Sequence, residues 1–337
     1  FLTNSTSSTS SVLELVDGTL WIAPAQIDLF DSTTLVYNLT TALPQAGVTI
    51  HFEVLGMDLV PLWSANVLTN SSGMASVVYI ADDAHGVLIV NVGPVAEEFL
   101  IGGEVQDQLI VITHCSVSVS LVPYPPAVDT MTNISFLVID DLGGAVDGIS
   151  ITVSVFDPYS EQIKLGLWTN SITAPVVDGI AIIEFTPEMV GLYTVAFTST
   201  GSVSVHSFTD STIHTIYSTT ELVLSLSTLD LEVGETLDIS AQLMDNDGNP
   251  MVGRNVTLEL DGPGASTMGP VELITNANGF VTWIVEIVEE GLWSLDASFD
   301  GLGVYLPSGS SQEVNVRYGT VVQLELLNPD DVIAGVT

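Results

Sequence analysis

Short runs in which hydrophobic and polar residues alternate recur along the whole chain. Val48-Thr-Ile-His-Phe, Ile149-Ser-Ile-Thr-Val and Val256-Thr-Leu-Glu-Leu are three examples. A period of two places successive side chains on opposite faces of a strand, so each run predicts a strand with one buried face. No segment has the periodicity of an amphipathic helix three turns long. The pattern therefore predicts an all-β protein.

A pair of glycines, each followed by an alternating apolar run, occurs three times. The pairs are Gly73 with Gly86, Gly179 with Gly191, and Gly279 with Gly291. Successive copies begin about one hundred residues apart, which is the size of one β-sandwich. The repeat predicts a tandem array of three sandwiches, and arrays of small β-modules usually hold other parts at a distance or in a lattice.

The strand pattern also predicts where the modules begin and end. The predicted segments are a polar arm at 1–11, sandwiches at 12–115, 116–218 and 219–318, and a terminal strand at 319–337. The last strand of one sandwich passes almost directly into the first strand of the next. Such short connections predict a semi-rigid rod.

The terminal segment repeats the opening of the third sandwich. Val322, Leu324 and Leu326 alternate as Leu222, Leu224 and Leu226 do. One apolar strand cannot bury its own face, so it must pair with another element. Two interpretations stay open: the strand begins a fourth module that is cut off, or it inserts into a neighbouring copy and makes a homo-oligomer.

Charge and hydropathy restrict the partners. The 337 residues include 41 acidic and three basic ones, for a net charge of −38, and the mean hydropathy is +0.50. Nucleic acid is excluded as a partner because phosphate binding needs clustered Lys and Arg. The most apolar stretch, 86–103, is interrupted by Pro94, Glu97 and Glu98, so no membrane insertion is expected. The simplest role of the charge is to keep the protein soluble. The alternative is that Ca²⁺ screens the carboxylates where modules or subunits meet.

Several features point outside the cell. Lysine is scarce, and serine and threonine are abundant, whereas the one cysteine, Cys115, does not report the redox compartment. The chain begins at Phe1 with no basic leader, so either a signal segment has been removed or this is a fragment. Sequons for glycans occur at five asparagines, which are Asn4, Asn38, Asn70, Asn133 and Asn255. We expect an extracellular or cell-surface location.

The third module resembles the Ig-like domains of prokaryotic surface proteins of the invasin and intimin type. The resemblance covers most of residues 220–318 and rests on Gly234-Glu-Thr, Asp245-Asn-Asp-Gly-Asn-Pro, Thr275-Asn-Ala-Asn-Gly-Phe-Val and Gly291-Leu-Trp-Ser-Leu-Asp-Ala. The second module departs from it through an insertion near 156–175, and the first lacks the Asp-Gly-Asn-Pro turn. The resemblance implies Ig-like sandwiches and the role of a spacer, an adhesin or a surface layer.

One polar turn carries a possible calcium site. Asp245, Asp247 and Asn249 resemble the start of an EF-hand loop, but Pro250 replaces its glycine and Val256 its final glutamate. A tight turn is therefore favoured, and Ca²⁺ held together with a neighbouring module is the alternative. The corresponding candidates in the second module are Asp140, Asp141 and Asp147.

No motif of an enzyme active site occurs, so we predict a non-enzymatic protein. The five histidines lie in separate segments without metal-ligand spacing, and no zinc site is expected at His206 and His214. His114 precedes Cys115, but neighbours on a strand point to opposite faces, so an exposed imidazole and a core thiol are favoured over a reactive pair.

These observations favour an extracellular structural protein of a prokaryote, and an archaeon is one candidate source. Its most concrete form is a subunit of a surface filament or surface layer, joined when a terminal strand, residues 319–337 or the arm at 1–20, completes a sheet of a neighbouring copy. Two alternatives remain: the stalk of an adhesin, which predicts no self-association, and accessory modules of a secreted enzyme. The last predicts that Trp63 and Trp168 gather into a saccharide-binding patch.

Overall fold

The computed structural model describes residues 14–41, 46–95, 100–165 and 169–320. Every regular element within these ranges is a β-strand, which confirms the all-β fold. None of these residues belongs to a helix that could cross a membrane. The chain divides into two compact units. One unit comprises residues 1–124, 131–185 and 192–214, and the other comprises 125–130, 186–191 and 215–337.

The first sandwich, in the first unit, is built from two sheets that enclose one core. Its strands are β1 (Glu14–Ala23), β2 (Gln26–Asp28), β3 (Ser32–Thr40), β4 (Thr49–Leu55), β5 (Pro61–Leu68), β6 (Met74–Ile80), β7 (Gly86–Pro94), β8 (Leu100–Gly102) and β9 (Val105–Ile112). The sheet orders are β6-β3-β1-β8 and β2-β9-β7-β4-β5. Tyr37, Phe52 and Leu88 meet in the core, because alternate residues of β3, β4 and β7 face inward.

The second sandwich follows the same plan with fewer strands. Its strands are β10 (Cys115–Val122), β11 (Thr132–Asp140), β12 (Ser150–Phe156), β13 (Ile172–Pro175), β14 (Ile180–Phe185), β15 (Gly191–Ser199) and β16 (Phe208–Ile216). The sheet orders are β10-β11-β14 and β13-β12-β15-β16. Phe136 of β11 and Phe197 of β15 meet edge to face, with ring centroids 5.3 Å apart, which joins the two sheets across the core.

The third sandwich lies in the second unit. Its strands are β17 (Thr220–Leu226), β18 (Asp230–Glu232), β19 (Thr236–Asp245), β20 (Asn255–Asp261), β21 (Thr267–Ile274), β22 (Phe280–Glu286), β23 (Gly291–Phe299) and β24 (Ser308–Arg317). The sheet orders are β17-β19-β22 and β18-β24-β23-β20-β21. Trp293 fills the core at 1% exposure and is therefore a packing residue. Trp283 is partly buried against the same core.

The first glycine of each repeated pair has the same structural role. Gly73, Gly179 and Gly279 have φ of +77°, +75° and +74° in the turn before β6, β14 and β22. A Cβ on Gly279 would lie 2.6 Å from the carbonyl oxygen of Leu243, and one on Gly73 would lie 2.8 Å from that of Leu39. Only glycine satisfies both the positive φ and this close approach, so the motif recurs with the fold.

The strands predicted at module ends lie where the sequence placed them, in β9, β10, β17 and β24. The module boundaries themselves stay predictions. Several residues named in the predictions lie outside the described ranges. They are Asn4, Trp168 and the predicted terminal strand with Val322, Leu324 and Leu326.

Candidate functional site

Two residues, Thr113 and His114, connect the first sandwich to the second, and main-chain hydrogen bonds fix this connector. The amide of Thr113 donates to the carbonyl oxygen of Ser204 at 3.0 Å, and the amide of His206 donates to the carbonyl oxygen of Thr113 at 3.0 Å. Residues 200–207 form the loop between β15 and β16 of the second sandwich. The loop that carries His206 is therefore held against the connector.

Asp28 reaches the same place from the first sandwich. β2 pairs in parallel with β9 so that Asp28 is opposite Ile112, the residue just before the connector. Oδ1 of Asp28 lies 2.6 Å from Nε2 of His206, and the His114 and His206 rings stack with centroids 4.3 Å apart and planes at 24°. Three segments that are distant in sequence thus bring together Asp28, His114 and His206, which we call the joint cluster.

Asp141 supports His114 from the second sandwich. Its Oδ2 accepts a hydrogen bond from the main-chain amide of His114 at 3.0 Å and lies 3.7 Å from Nδ1 of the His114 ring. One carboxylate oxygen thus holds the His114 backbone and also lies near its ring.

A second histidine–aspartate contact ties the two sandwiches together. Nε2 of His85, in the first sandwich, donates to Oδ2 of Asp140 at the end of β11, at 2.9 Å. Oδ1 of Asp140 accepts from the amides of Leu142 and Gly144, at 2.9 and 2.8 Å, and so closes the turn. Burial alone would raise the pKa of Asp140, but these amide bonds and His85 hold that pKa below its usual value. The carboxylate is therefore charged at neutral pH.

Cys115 is not a nucleophile in this arrangement. Burial, with Asp140 and Asp141 nearby, raises the pKa of its thiol to about 11. The thiol is therefore protonated at neutral pH, whereas a reactive cysteine needs a lowered pKa. The His114 side chain is 61% exposed, as predicted, and Cys115 is half-buried rather than fully in the core.

The second unit contains a connection with the same backbone pattern but without these side chains. The amide of Ser218 donates to the carbonyl oxygen of Val304 at 2.8 Å, and that of Leu306 donates to the carbonyl oxygen of Ser218 at 2.9 Å. Ala127 is opposite Tyr217 as Asp28 is opposite Ile112. The positions that correspond to the joint cluster are thus Ala127, Thr219 and Leu306, none of which has a titratable side chain.

The predicted calcium ligands cap turns. Oδ1 of Asp245 accepts from the amides of Asp247 and Asn249, at 3.0 and 2.8 Å, which confirms the predicted turn. Asp140 has the same role in the second sandwich. Within the described ranges, Asp28, His114 and His206 are the one group of three or more metal-binding side chains that converge. Calcium at these turns stays a prediction.

Other predicted site residues lie apart from the joint. Asn70 and Asn255 are exposed, and Asn38 and Asn133 are half-buried on β3 and β11. Trp63 packs edge-on against Tyr79 with ring centroids 5.5 Å apart, next to the first core. Its predicted clustering with Trp168 involves a residue outside the described ranges, so it stays a prediction.

Comparison with known proteins gives distant likenesses only. No family model and no curated protein matches the sequence. Among solved structures, a tetra-tandem repeat from the extending region of a large adhesion protein is 14% identical with a TM-score of 0.37, over 89% of this chain and 73% of that one. Invasin, a bacterial integrin-binding protein, is 13% identical with a TM-score of 0.40, over 89% and 60%.

Two further solved structures are also distantly similar to this chain. The Escherichia coli adhesin FdeC is 15% identical with a TM-score of 0.40, over 91% of this chain and 98% of that one. The alpha-2-macroglobulin of the same organism is 11% identical with a TM-score of 0.27, and this chain spans 22% of its length. At these values the likenesses carry no argument about family or function, and the fold class rests on the strands themselves.

Proposed function

We propose that this chain is a non-enzymatic, extracellular spacer made of tandem Ig-like sandwiches that transmit force along the backbone. The observation that carries the proposal is the pair of short connectors, two residues between β9 and β10 and three between β16 and β17. In both, main-chain hydrogen bonds tie the connector to the loop of the following sandwich. A flexible linker has no such bonds and is usually longer.

The surface chemistry supports a setting outside the cell. A net charge of −38 keeps copies apart in solution, and three basic residues offer few sites to trypsin-like proteases. The sequons at Asn70 and Asn255 lie on exposed positions, where a glycan is accommodated without unfolding. None of these features requires a catalytic site.

Pulling single molecules by their ends tests the proposal. A spacer of three autonomous sandwiches gives three separate unfolding events, each releasing roughly 300 Å of chain at ~3.5 Å per residue. Trp293→Ala should lower the unfolding force of one event and leave the others unchanged, because Trp293 fills the third core. Extension without force peaks, or a single event for the whole chain, would contradict the proposal.

The filament or surface-layer form adds one requirement, that residues 319–337 complete a sheet in a neighbouring copy. Its support is the alternation of Val322, Leu324 and Leu326. Under this form, Leu324→Asp abolishes filaments or sheets in negative-stain electron micrographs, whereas Gln323→Glu, on the opposite strand face, retains them. Dispersed particles for the unmodified chain, with Ca²⁺ and with a chelator alike, would leave the stalk of an adhesin as the function.

A further inference from the structure

The joint cluster has the composition of a transition-metal site. It offers two imidazoles and one carboxylate, and the potential ligand atoms of Asp28, His114 and His206 all lie within 4.8 Å of one another. Two ligands of a tetrahedral zinc ion are separated by roughly 3.4 Å, given Zn–N and Zn–O bonds of about 2.0–2.2 Å. Small rotations of these side chains therefore suffice to place all three around one ion.

The side chains are free to make those rotations. The exposed fractions are 37% for His206, 44% for Asp28 and 61% for His114, so no packed core resists their movement. The backbone around them is fixed, by the parallel pairing of β2 with β9 and by the hydrogen bonds of Thr113. A site with fixed backbone and adjustable side chains suits an ion that enters from solvent.

Asp141 supplies the support that metal-binding histidines usually have. A ligating imidazole commonly donates its other ring N–H to a carboxylate, which fixes the ring and raises its basicity. Oδ2 of Asp141 lies 3.7 Å from Nδ1 of His114, and a small rotation of the ring would bring the two within hydrogen-bond distance and leave Nε2 for the ion. Ca²⁺ and Mg²⁺ prefer oxygen ligands, whereas a His₂Asp set suits Zn²⁺.

We propose that Asp28, His114 and His206 bind one Zn²⁺ ion that bridges the first sandwich, the connector and the second sandwich. The neutral His206 ring moves its proton from Nε2 to Nδ1 through solvent, and Nε2 exchanges its hydrogen bond with Asp28 for a bond to the ion that Asp28 also binds. Solvent fills the remaining coordination position. Because Ala127, Thr219 and Leu306 occupy the corresponding places, the second connection lacks this site. The spacer function does not require the ion, so either proposal can fail without the other.

Calorimetric titration of the full chain with Zn²⁺ tests binding. Millimolar Ca²⁺ is included to occupy scattered carboxylates. We expect one saturable site that is lost in His114→Ala and His206→Ala and retained in His51→Ala, a matched change of a half-buried histidine away from the joint. Asp28→Asn, which preserves side-chain shape, should also lose the site, and Asp141→Asn should weaken it about tenfold. Absence of saturable binding, or an unchanged isotherm in His206→Ala, would overturn the proposal.

Hydrogen exchange tests bridging. Zn²⁺ should slow exchange at the amides of Thr113 and His206, which join the connector to the second sandwich. The amides of Ser218 and Leu306, in the equivalent backbone of the second unit, should exchange at unchanged rates. Zinc that binds without slowing exchange at Thr113 would overturn the bridging role.

Discussion

Nε2 of His206 lies 2.6 Å from Oδ1 of Asp28, although 178 positions separate the two residues in the chain. Asp28 belongs to the first sandwich and His206 to a loop of the second. Together with the His85–Asp140 contact, this pair forms polar side-chain contacts that fix the joint between these two sandwiches. A connector of two residues is thus reinforced by side chains that the sequence places far away.

Removing the Asp140 carboxylate should destabilise the first unit. Asp140→Ala deletes the acceptor for two amides and for His85, and hydrogen bonds to a charged group contribute about 1.5–3 kcal/mol each. Because Leu142 and Gly144 are exposed, water replaces part of what their amides lose, and we expect the free energy of unfolding by urea to fall by less than the sum, roughly 2–4 kcal/mol.

A double-mutant cycle isolates the contact between the sandwiches. Asp140→Ala and His85→Ala together should cost less than the sum of the single changes. Asp157 is the matched control, because its Oδ1 caps a similar turn through Tyr159 and Glu161 without a histidine. Additive effects of Asp140→Ala and His85→Ala would show that the contact contributes nothing.

The repeated glycine should be less replaceable than other glycines of the same φ. Gly279→Ala, at φ +74°, forces a Cβ to within 2.6 Å of the Leu243 carbonyl oxygen, whereas a Cβ on Gly248, at the similar φ of +77°, has nothing within 4 Å. Positive φ costs alanine about 1–2 kcal/mol at either site. Thermal unfolding should therefore show a clearly larger loss for Gly279→Ala, and equal losses would mean that the close approach relaxes freely.

Replacing Trp293 by alanine should cost about 3–5 kcal/mol, because it empties the largest fully buried side chain of the third core. Trp21→Ala, at a position 52% exposed, should change stability by less than about 1 kcal/mol. Denaturant unfolding of both variants measures the difference. Similar small effects would contradict the packing role assigned to Trp293.

His214 should make the protein less stable in mild acid. Burial lowers the pKa of His214, and its Nε2 is buried without a hydrogen-bond partner. The unfolded chain therefore takes up the proton more readily, so stability rises with pH through the range near 6.5 and falls below it. His214→Leu should reduce the drop in Tm between about pH 7 and pH 5, while His51→Leu should not. An unchanged drop would contradict this assignment.

The strands could be predicted from the sequence, but the contacts at the joint could not. Alternation of buried and exposed residues in β4, β12 and β20 is a local property, and the turn at Asp245 follows from Asp, Asn and Gly chemistry. The joint cluster has no local signal, because β2 is three residues long and its parallel partner β9 lies about eighty positions later. The spacing of the histidines along the chain therefore predicts no metal site, although the rings of His114 and His206 stack in the structure.

One clue to the joint was present in the repeat. Aligning the modules on their glycine pairs places His206 opposite Leu306 and His114 opposite Thr219, so two titratable residues replace neutral ones at a single joint. Because the residue types differ between the copies, the fold that the copies share does not require the histidines at these positions. Nothing in the repeat indicates that Asp28 lies beside His206, because their contact depends on the parallel pairing of β2 with β9.

The distance distribution between the first two sandwiches tests the central claim, a fixed joint in a structural spacer, most directly. Spin labels at the exposed positions of Ser76 on β6 and Ser118 on β10, in a Cys115→Ser background, report that distance by pulsed electron paramagnetic resonance. The account predicts one narrow distribution that broadens when Asp28 and His85 are both changed to alanine. A distribution in the unmodified joint as broad as in that double variant would contradict it.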